Sequence, residues 1–365
     1  MKKIKFLAVA LAAFTMFSCT NDEVENLGNN VPGEQAVLTI KLKGDGDSQA
    51  QSRAAGPATD TEDAVINDYL VFLFREGGAL DCAPHESNSN AAATITTGTT
   101  AAKKAYVVAN TGALAGGPFA TVKTETDLLA VAGSLMDNTN NVSTQTKTNL
   151  WMSGESGVTF NGTTGTTTVT LSYVAAKIQL IVKEKRTNMS GGTIQITDDE
   201  VVLLFAGQQG KFFGNPAEKS VQTHFYTGHD GYNGAFNTNV TKSTALSDQV
   251  TTPFTDNTGN TVFNHFYTFG NDGTTQPTIL AIKSTKTVNS ASSTIYYPVH
   301  FTKADAGHTI EPGKSYTVTV TLNGDVEAGA GGGTTDPEAP VISSSIEVTV
   351  TAAQWVTQPV SKEFN

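Results

Sequence analysis

The chain is written in short stretches in which apolar and polar residues alternate. AVLTIKLK at 36–43 sets Ala36, Leu38, Ile40 and Leu42 on one face and Val37, Thr39, Lys41 and Lys43 on the other, the period-two pattern of a strand with one dry and one wet face. Runs rich in β-branched and aromatic residues follow: INDYLVFLF, KAYVVANTG, NLWMSGE and GVTFNGTTGTTTVTLSYVAAKIQLIVKE, parted by Asn-Gly, Thr-Gly and Gly-Gly turns. TETDLLAVAGSLM is the one short helical candidate among them. LSYVAAKIQLIV at 171–182 reads as a single long strand that closes a first domain near Glu184. After the punctuation KRTNMSGG, a second set of strands runs through GTIQITDDEVVLLFAG, FNHFYTFGN, TILAIKS, STIYYPVHF and SYTVTVTLNG, ending near Asp325. The Asn/Thr/Asp-rich stretch at 210–263 reads as elaborate loops. Last comes SSSIEVTVTAAQW at 343–355, again a strand, behind AGAGGGTTDPEAP, whose composition is that of a swinging arm. The expected fold is all-β: sandwich domains at 54–184 and 185–325, with a linker and terminal strand at 326–365.

Composition agrees with a turn-rich extracellular β protein. Hydrophobic residues make up 38% and charged residues 16% of the 365 positions, and Thr, Asn, Gly and Ser fill the difference. A net charge of −11 without clustered Lys and Arg excludes a nucleic-acid surface. The beginning of the chain reads as an export signal at 1–19: basic MKKIK, then the apolar FLAVALAAFTMF, too short to span a bilayer, then Cys19. A Cys directly after such a run is where a lipoprotein signal peptidase cuts and a diacylglyceryl group is attached, although Met16, Phe17 and Ser18 depart from the commonest preceding residues. Residues 20–33 are polar and acidic, as a tether from a lipid anchor should be, and the tether and first strand together fill 20–53. With Cys19 used as an anchor, Cys82 has no partner for an intramolecular disulfide, and it receives no role.

Sites of chemistry do not emerge. Gly313-Lys314-Ser315 resembles the end of a phosphate loop, but His308 stands where that loop needs its first glycine, so a turn before a strand is the reading. The six histidines lack ligand spacing, and Asp45-Gly46-Asp47 and Asn271-Asp272-Gly273 lack the long acidic run of a calcium loop. Asp198-Asp199-Glu200 lies on a strand, where neighbouring carboxylates point to opposite faces and do not converge. No GxSxG nucleophile elbow is present, and no catalytic residue, cofactor site or metal ligand is nominated.

What does stand out is a duplication. Leu38-Thr39-Ile40-Lys41-Leu42 and Ile346-Glu347-Val348-Thr349-Val350 alternate over the same length, so each offers three branched side chains to one buried face. Between the first of them and the next strand lies GDGDSQAQSRAAGPATDTED, a polar stretch of about twenty residues, long for a loop and of the kind proteases cut; it contains Arg53. Cutting at Arg53 and losing Leu38, Ile40 and Leu42 would open a groove with unpaired backbone groups, which the terminal strand of another copy is suited to fill in a head-to-tail, non-closing contact. Ile346, Val348, Val350 and Trp355 at about 1.5–3 kcal/mol each offer on the order of 10 kcal/mol for that joint. Trp355 is out of phase with the other three, so Ala352-Ala353 is expected to be a bulge or bend.

The Cys19 signal, QSRAAGP, YVVANTG, VAAKI, PGKSYTVTVTL and IEVTVTAAQW, in this order, resemble the fimbrillins, subunits of the type V pili of anaerobic Gram-negative bacteroidete cells. The resemblance covers nearly the whole chain. It implies two tandem transthyretin-like β-sandwich domains and export to the outer membrane as a lipid-anchored precursor. It further implies that an Arg-specific protease removes everything through Arg53, leaving Ala54 first, and that the terminal strand of one subunit enters the vacated groove of the next. The partners implied are other copies of the chain and other fimbrial subunits, at a cell-surface fimbrium. Within that family a terminal appendage suits a stalk subunit, whereas the long 210–263 stretch suits an adhesive tip. The competing reading is a monomeric surface lipoprotein that binds glycans, with 346–355 folded back on its own sandwich.

Overall fold

Alternation becomes strand almost wherever it occurs. The computed structural model describes residues 33–44, 66–88, 92–112, 117–135, 150–190, 192–229, 239–254, 261–262, 265–327, 333–339 and 346–354. β1 spans Val37–Gly44, β2 Tyr69–Arg75, β3 His85–Ser87, β4 Ala93–Ile95 and β5 Ala102–Ala109. β6 Ala132–Ser134, β7 Met152–Gly157, β8 Phe160–Asn161, β9 Thr164–Tyr173 and β10 Ala176–Thr187 follow. Then come β11 Ile194–Leu204, β12 Ala206–Lys211, β13 Ser220–Thr227, β14 Val240–Lys242, β15 Ser247–Gln249, β16 Thr261–Val262 and β17 Phe266–Thr268. β18 Ile279–Val288, β19 Ala291–His300, β20 Lys314–Asp325 and β21 Ile346–Gln354 complete the set. The protein is all-β, and its chain order is laid out in four sheets.

In the first half the strand order is β3-β2-β5-β7-β9-β1-β4, with β8 hooked onto β9. β9 is the corner of this arrangement: Thr164 to Leu171 pair with β1, and the last two residues, Ser172 and Tyr173, pair with β7. The second half has one sheet in which β10 pairs with β16, β17 and β20, and β20 in turn with β21. Another runs β15-β11-β18-β19, and a small one runs β14-β13-β12-β6. The continuous apolar runs VVLL and ILAI are explained by burial on both faces. Val201, Leu203, Leu280 and Ile282 face the main core, whereas Val202, Leu204, Ile279 and Ala281 face a second cluster with Phe205, Phe225 and Tyr296. Phe205, fully buried with φ +53°, turns the chain from β11 into β12, and Thr278 donates to its carbonyl at 3.0 Å.

Three expectations are corrected. The stretch at 171–182 is two strands, β9 and β10, because Val174 and Ala175 are buried in a bend between them and β10 leaves for the sheet of β20. The region at 210–263 is not only loop: β13, β14, β15 and β16 lie in it, and Phe212 and Phe213 reach across to the first half of the chain. Phe212 packs on Trp151 and Phe119 at 4.9 and 5.0 Å between ring centroids, and Phe213 meets Tyr106 edge-on at 5.0 Å. The helical candidate is helical only over Glu125–Ala130, where Thr124 and Asp127 form a capping box before Val131 turns extended and β6 begins.

Charge inside the fold is paired. Arg186 is fully buried between Glu184, at 2.5 Å, and Asp198, at 2.6 Å, donates to the Tyr297 hydroxyl at 3.1 Å and lies over its ring. Burial opposes the guanidinium charge, but these partners outweigh it and hold Arg186 still more firmly protonated. A bulge between Asp198 and Glu200 splits the acidic triplet: Asp198 takes Arg186 and Ser284, Asp199 takes Thr285, and Glu200 takes Lys283 and Ser247. Burial works against the Glu200 charge, yet Lys283 and Ser247 hold its carboxyl below the ordinary value.

Arg186→Leu leaves Glu184 and Asp198 buried without their cation; the expected loss is about 3–5 kcal/mol, read as a lower urea midpoint. Because the Glu200 carboxyl is held low, its contribution is present at neutral pH and vanishes as pH falls below about 4. Glu200→Gln is therefore expected to flatten the acid limb of a melting-temperature profile while lowering its neutral plateau.

Candidate functional site

The candidate site consists of two strands at opposite ends of the sequence and the places they occupy. β1 is an inner strand, parallel to β9 over its whole length and antiparallel to β4 through Leu38 with Ile95, Thr39 with Thr94 and Ile40 with Ala93. Leu38, Ile40 and Leu42 are 1%, 0% and 6% exposed, so the three side chains picked out by alternation fill the core, while Lys41 on the other face is exposed. Bonding begins before the strand proper: Ala36 N donates to Gly98 O at 2.9 Å, Val37 N to Thr163 O at 2.8 Å, and Thr100 N to Glu34 O at 2.9 Å. Gly33 lies so close to the chain that a Cβ there would meet Ala101 N at 2.5 Å.

The walls of this slot were not legible beforehand. The loop at 96–101, which receives residues 34–36, is fastened from behind by Asp81: its carboxylate accepts from Thr99 N at 2.5 Å, from the Thr99 hydroxyl at 2.6 Å, and from Arg75 Nε at 2.8 Å. Asp81 is 7% exposed, and this buried carboxylate ties the wall to the end of β2 independently of β1. Nothing local in DCAPHES announces that duty. Cys82 sits half-buried beside it.

β21 occupies a different kind of place. It is antiparallel to β20, from Leu322 with Ile346 to Lys314 with Gln354, and among the described residues β20 is its sole neighbour in the sheet. Ile346 is buried, and Val348, Val350 and Ala352 are half-buried against the core, with Glu347, Thr349 and Thr351 on the opposite face. The expected dry face is thus the observed one, but in an edge position on the chain's own second half. The strand continues through Ala352 to Gln354 in unbroken register with Tyr316, Ser315 and Lys314, so the anticipated bulge at Ala352-Ala353 is absent. Cys19, Arg53, Ala54 and Trp355 lie outside the described residues.

The linker is corrected in part. Residues 333–339 are docked on β19: Tyr296 N donates to Thr334 O at 2.7 Å and Thr334 N returns a bond to Tyr296 O at 2.9 Å. His300 Nε2 meets Pro337 O at 3.0 Å, while its Nδ1 meets Asp305 at 2.9 Å; Gln276 donates to Glu338 at 3.2 Å. Composition suggested a swinging arm because it registers Gly and Pro and cannot register a partner 37 residues away. Elsewhere Gly313 takes φ +73° in the turn that opens β20, which accounts for the phosphate-loop fragment. Among the described residues no helix is long and apolar enough to cross a membrane.

Two family profiles cover this architecture end to end. Residues 36–200, with β1 and its slot, match the family described as major fimbrial subunit protein (FimA); residues 175–355, with β20 and β21, match FimA-like major fimbrial subunit protein, C-terminal domain. A crystal structure of a candidate cell adhesion protein from Bacteroides eggerthii is 78% identical, with a TM-score of 0.82, over 92% of this chain and 100% of that one. The chain belongs to the FimA-like fimbrial subunit family. Two candidate cell adhesion proteins from Parabacteroides distasonis share the fold at 18% and 17% identity, with TM-scores of 0.57 and 0.56. They cover 88% and 91% of this chain, and 99% of each of theirs. The family is one of structural subunits rather than of enzymes, and the profile of its C-terminal domain matches from residue 175, just before β10.

The two places differ in what a truncation costs. Ile40→Ala, at a fully buried position between two neighbours, is expected to destabilise the uncut chain by about 2–5 kcal/mol. Val348→Ala, half-buried at an edge, is expected to cost about 1 kcal/mol. Denaturant titration of both variants checks the difference.

Proposed function

We propose that this chain is a structural fimbrial subunit of the stalk type, which polymerises at the cell surface when a protease cuts after Arg53 and the β21 strand of one copy replaces β1 of the next. The observation that carries the reading is the inequality between the two strand sites. The β1 slot gives a strand two neighbours and a fully buried apolar face, whereas β21 at rest has one neighbour among the described residues and a half-buried face. A strand with the side-chain pattern of β1 gains by moving from the second place to the first.

The arginines support the cut. The chain has three: Arg186 is buried in its ion pairs, and Arg75 closes β2 and is bonded to Asp81, so neither offers an extended, unpaired backbone to a protease. Arg53 stands in the polar stretch after β1, where cutting separates that strand from the rest. Cys19 as the lipid-bearing residue of an outer-membrane precursor, and two tandem sandwiches, complete the proposal. It needs neither cofactor nor catalytic residue.

A second reading has an observation of its own. The pairing of β21 with its own β20 is what a monomeric, glycan-binding surface lipoprotein would keep permanently.

Size analysis before and after cutting with an Arg-specific protease separates the two. The expected result is a ladder of oligomers from the cut full-length chain and none from a chain ending at Asp325. Val348→Asp, which sets a charge against an apolar slot, is expected to abolish the ladder while leaving the uncut protein folded. A cut protein that stays monomeric, with β21 still on β20, would sink the polymer and leave the monomeric binder.

A further inference from the structure

The contacts of residues 333–339 have no part in either sandwich core, yet they are specific. Gly333 lies against the Tyr296 backbone so closely that a Cβ would meet its carbonyl oxygen at 2.3 Å and its carbonyl carbon at 3.0 Å. Thr334 makes the two-bond bridge to Tyr296, and its hydroxyl closes a small turn with Asp336, whose carboxylate in turn accepts from Glu338 N at 3.0 Å. Pro337 then presents its carbonyl to His300, a side chain 8% exposed. With the Pro337 carbonyl at one ring nitrogen and the Asp305 carboxylate at the other, His300 bridges the linker to the body of the protein.

We propose that residues 333–339 are an autoinhibitory clasp that keeps the terminal strand on its own subunit, and that release of this clasp from the β19 edge gates donation. The inference rests on the reading of β21 as a donor. Its physical basis is reach. From the docked Ala339 only seven residues lead to Ile346, a span of about 24 Å when fully extended. Once the clasp lets go, the tether starts instead at Glu327, the last described residue after β20, and nineteen residues span about 65 Å. The same shortening concentrates β21 beside β20: with effective concentration falling as the −3/2 power of tether length, docking favours the home position by about four- to fivefold. β19 is the outer strand of its sheet, and the clasp pairs with it at Tyr296 by a single bridge, so letting go uncovers little backbone.

Gly333→Val tests this without touching a core or β21, since its side chain collides with the Tyr296 backbone; Thr334→Pro, which removes the N–H that bonds Tyr296 O, is the independent second variant. Amide exchange is measured in the uncut, full-length chain at 348–351, with 38–42 in β1 as the control for global unfolding. Both variants are expected to exchange about four- to fivefold faster than wild type in β21 and equally in β1, and after cutting to form oligomers faster by a similar factor. Unchanged β21 exchange in both variants would overturn the clasp. Faster exchange with unaltered or slower assembly would overturn its gating role. If cut wild-type protein forms no oligomers, the donor reading itself fails, and the exchange measurement still decides whether the segment holds β21.

Discussion

Every backbone edge in a β-sheet carries N–H and C=O groups that must be bonded or left to water, and an inner strand carries two such edges. This constraint governs the molecule. β1 satisfies β9 along its whole length and β4 at its start, and it seals the core beneath with Leu38, Ile40 and Leu42. Removing it would leave both neighbours with open edges and an apolar trench between them, a state that only another strand of like pattern relieves. β21 is such a strand, and among the described residues it rests on an edge with a single neighbour.

The rest of the fold can be understood as keeping these two places in shape. Asp81 fixes the wall that receives residues 34–36 by bonds to Thr99 and Arg75, so that wall does not owe its form to β1 alone. Arg186, Glu184 and Asp198 stiffen the end of β10, which is the parallel neighbour of β20, and thereby the strand on which β21 rests. Buried ion pairs of this sort contribute little net stability over an apolar filling, but they tolerate only one arrangement of the strands that carry them. The aromatic seam of Tyr106, Phe119 and Trp151 with Phe212 and Phe213 joins the two halves of the chain, so β1 and β21 belong to one packed body.

Membership of the FimA-like family gives this arrangement its biological setting, but the energetic logic does not depend on the name. Two strands of equal pattern occupy sites of unequal quality: β1 lies between two neighbours, and β21 lies on β20 at an edge, with residues 333–339 docked on β19. The acidic triplet at 198–200, His300 and the Gly-Lys-Ser fragment find structural duties in the framework, as an ion-pair partner, strand-to-strand ties, a linker anchor and a turn.

Alternation along the chain determined by itself which residues face the core in β1, β9, β20 and β21, since a side-chain period of two depends on backbone geometry alone. It therefore found Leu38, Ile40, Leu42, Ile346, Val348 and Val350, and the likeness between the two strands, from local pattern. It could not see the bend at Val174-Ala175, because the apolar run continues through it, or the strands within 210–263, whose polar faces look like loop. Nor could it say which strand each would pair with. Partner choice is made by contacts far apart in sequence, Leu38 with Ile95, Ile178 with Tyr316, Thr334 with Tyr296, and those exist only once the chain has closed on itself. The difference between an inner strand and an edge strand is therefore a property of the tertiary structure.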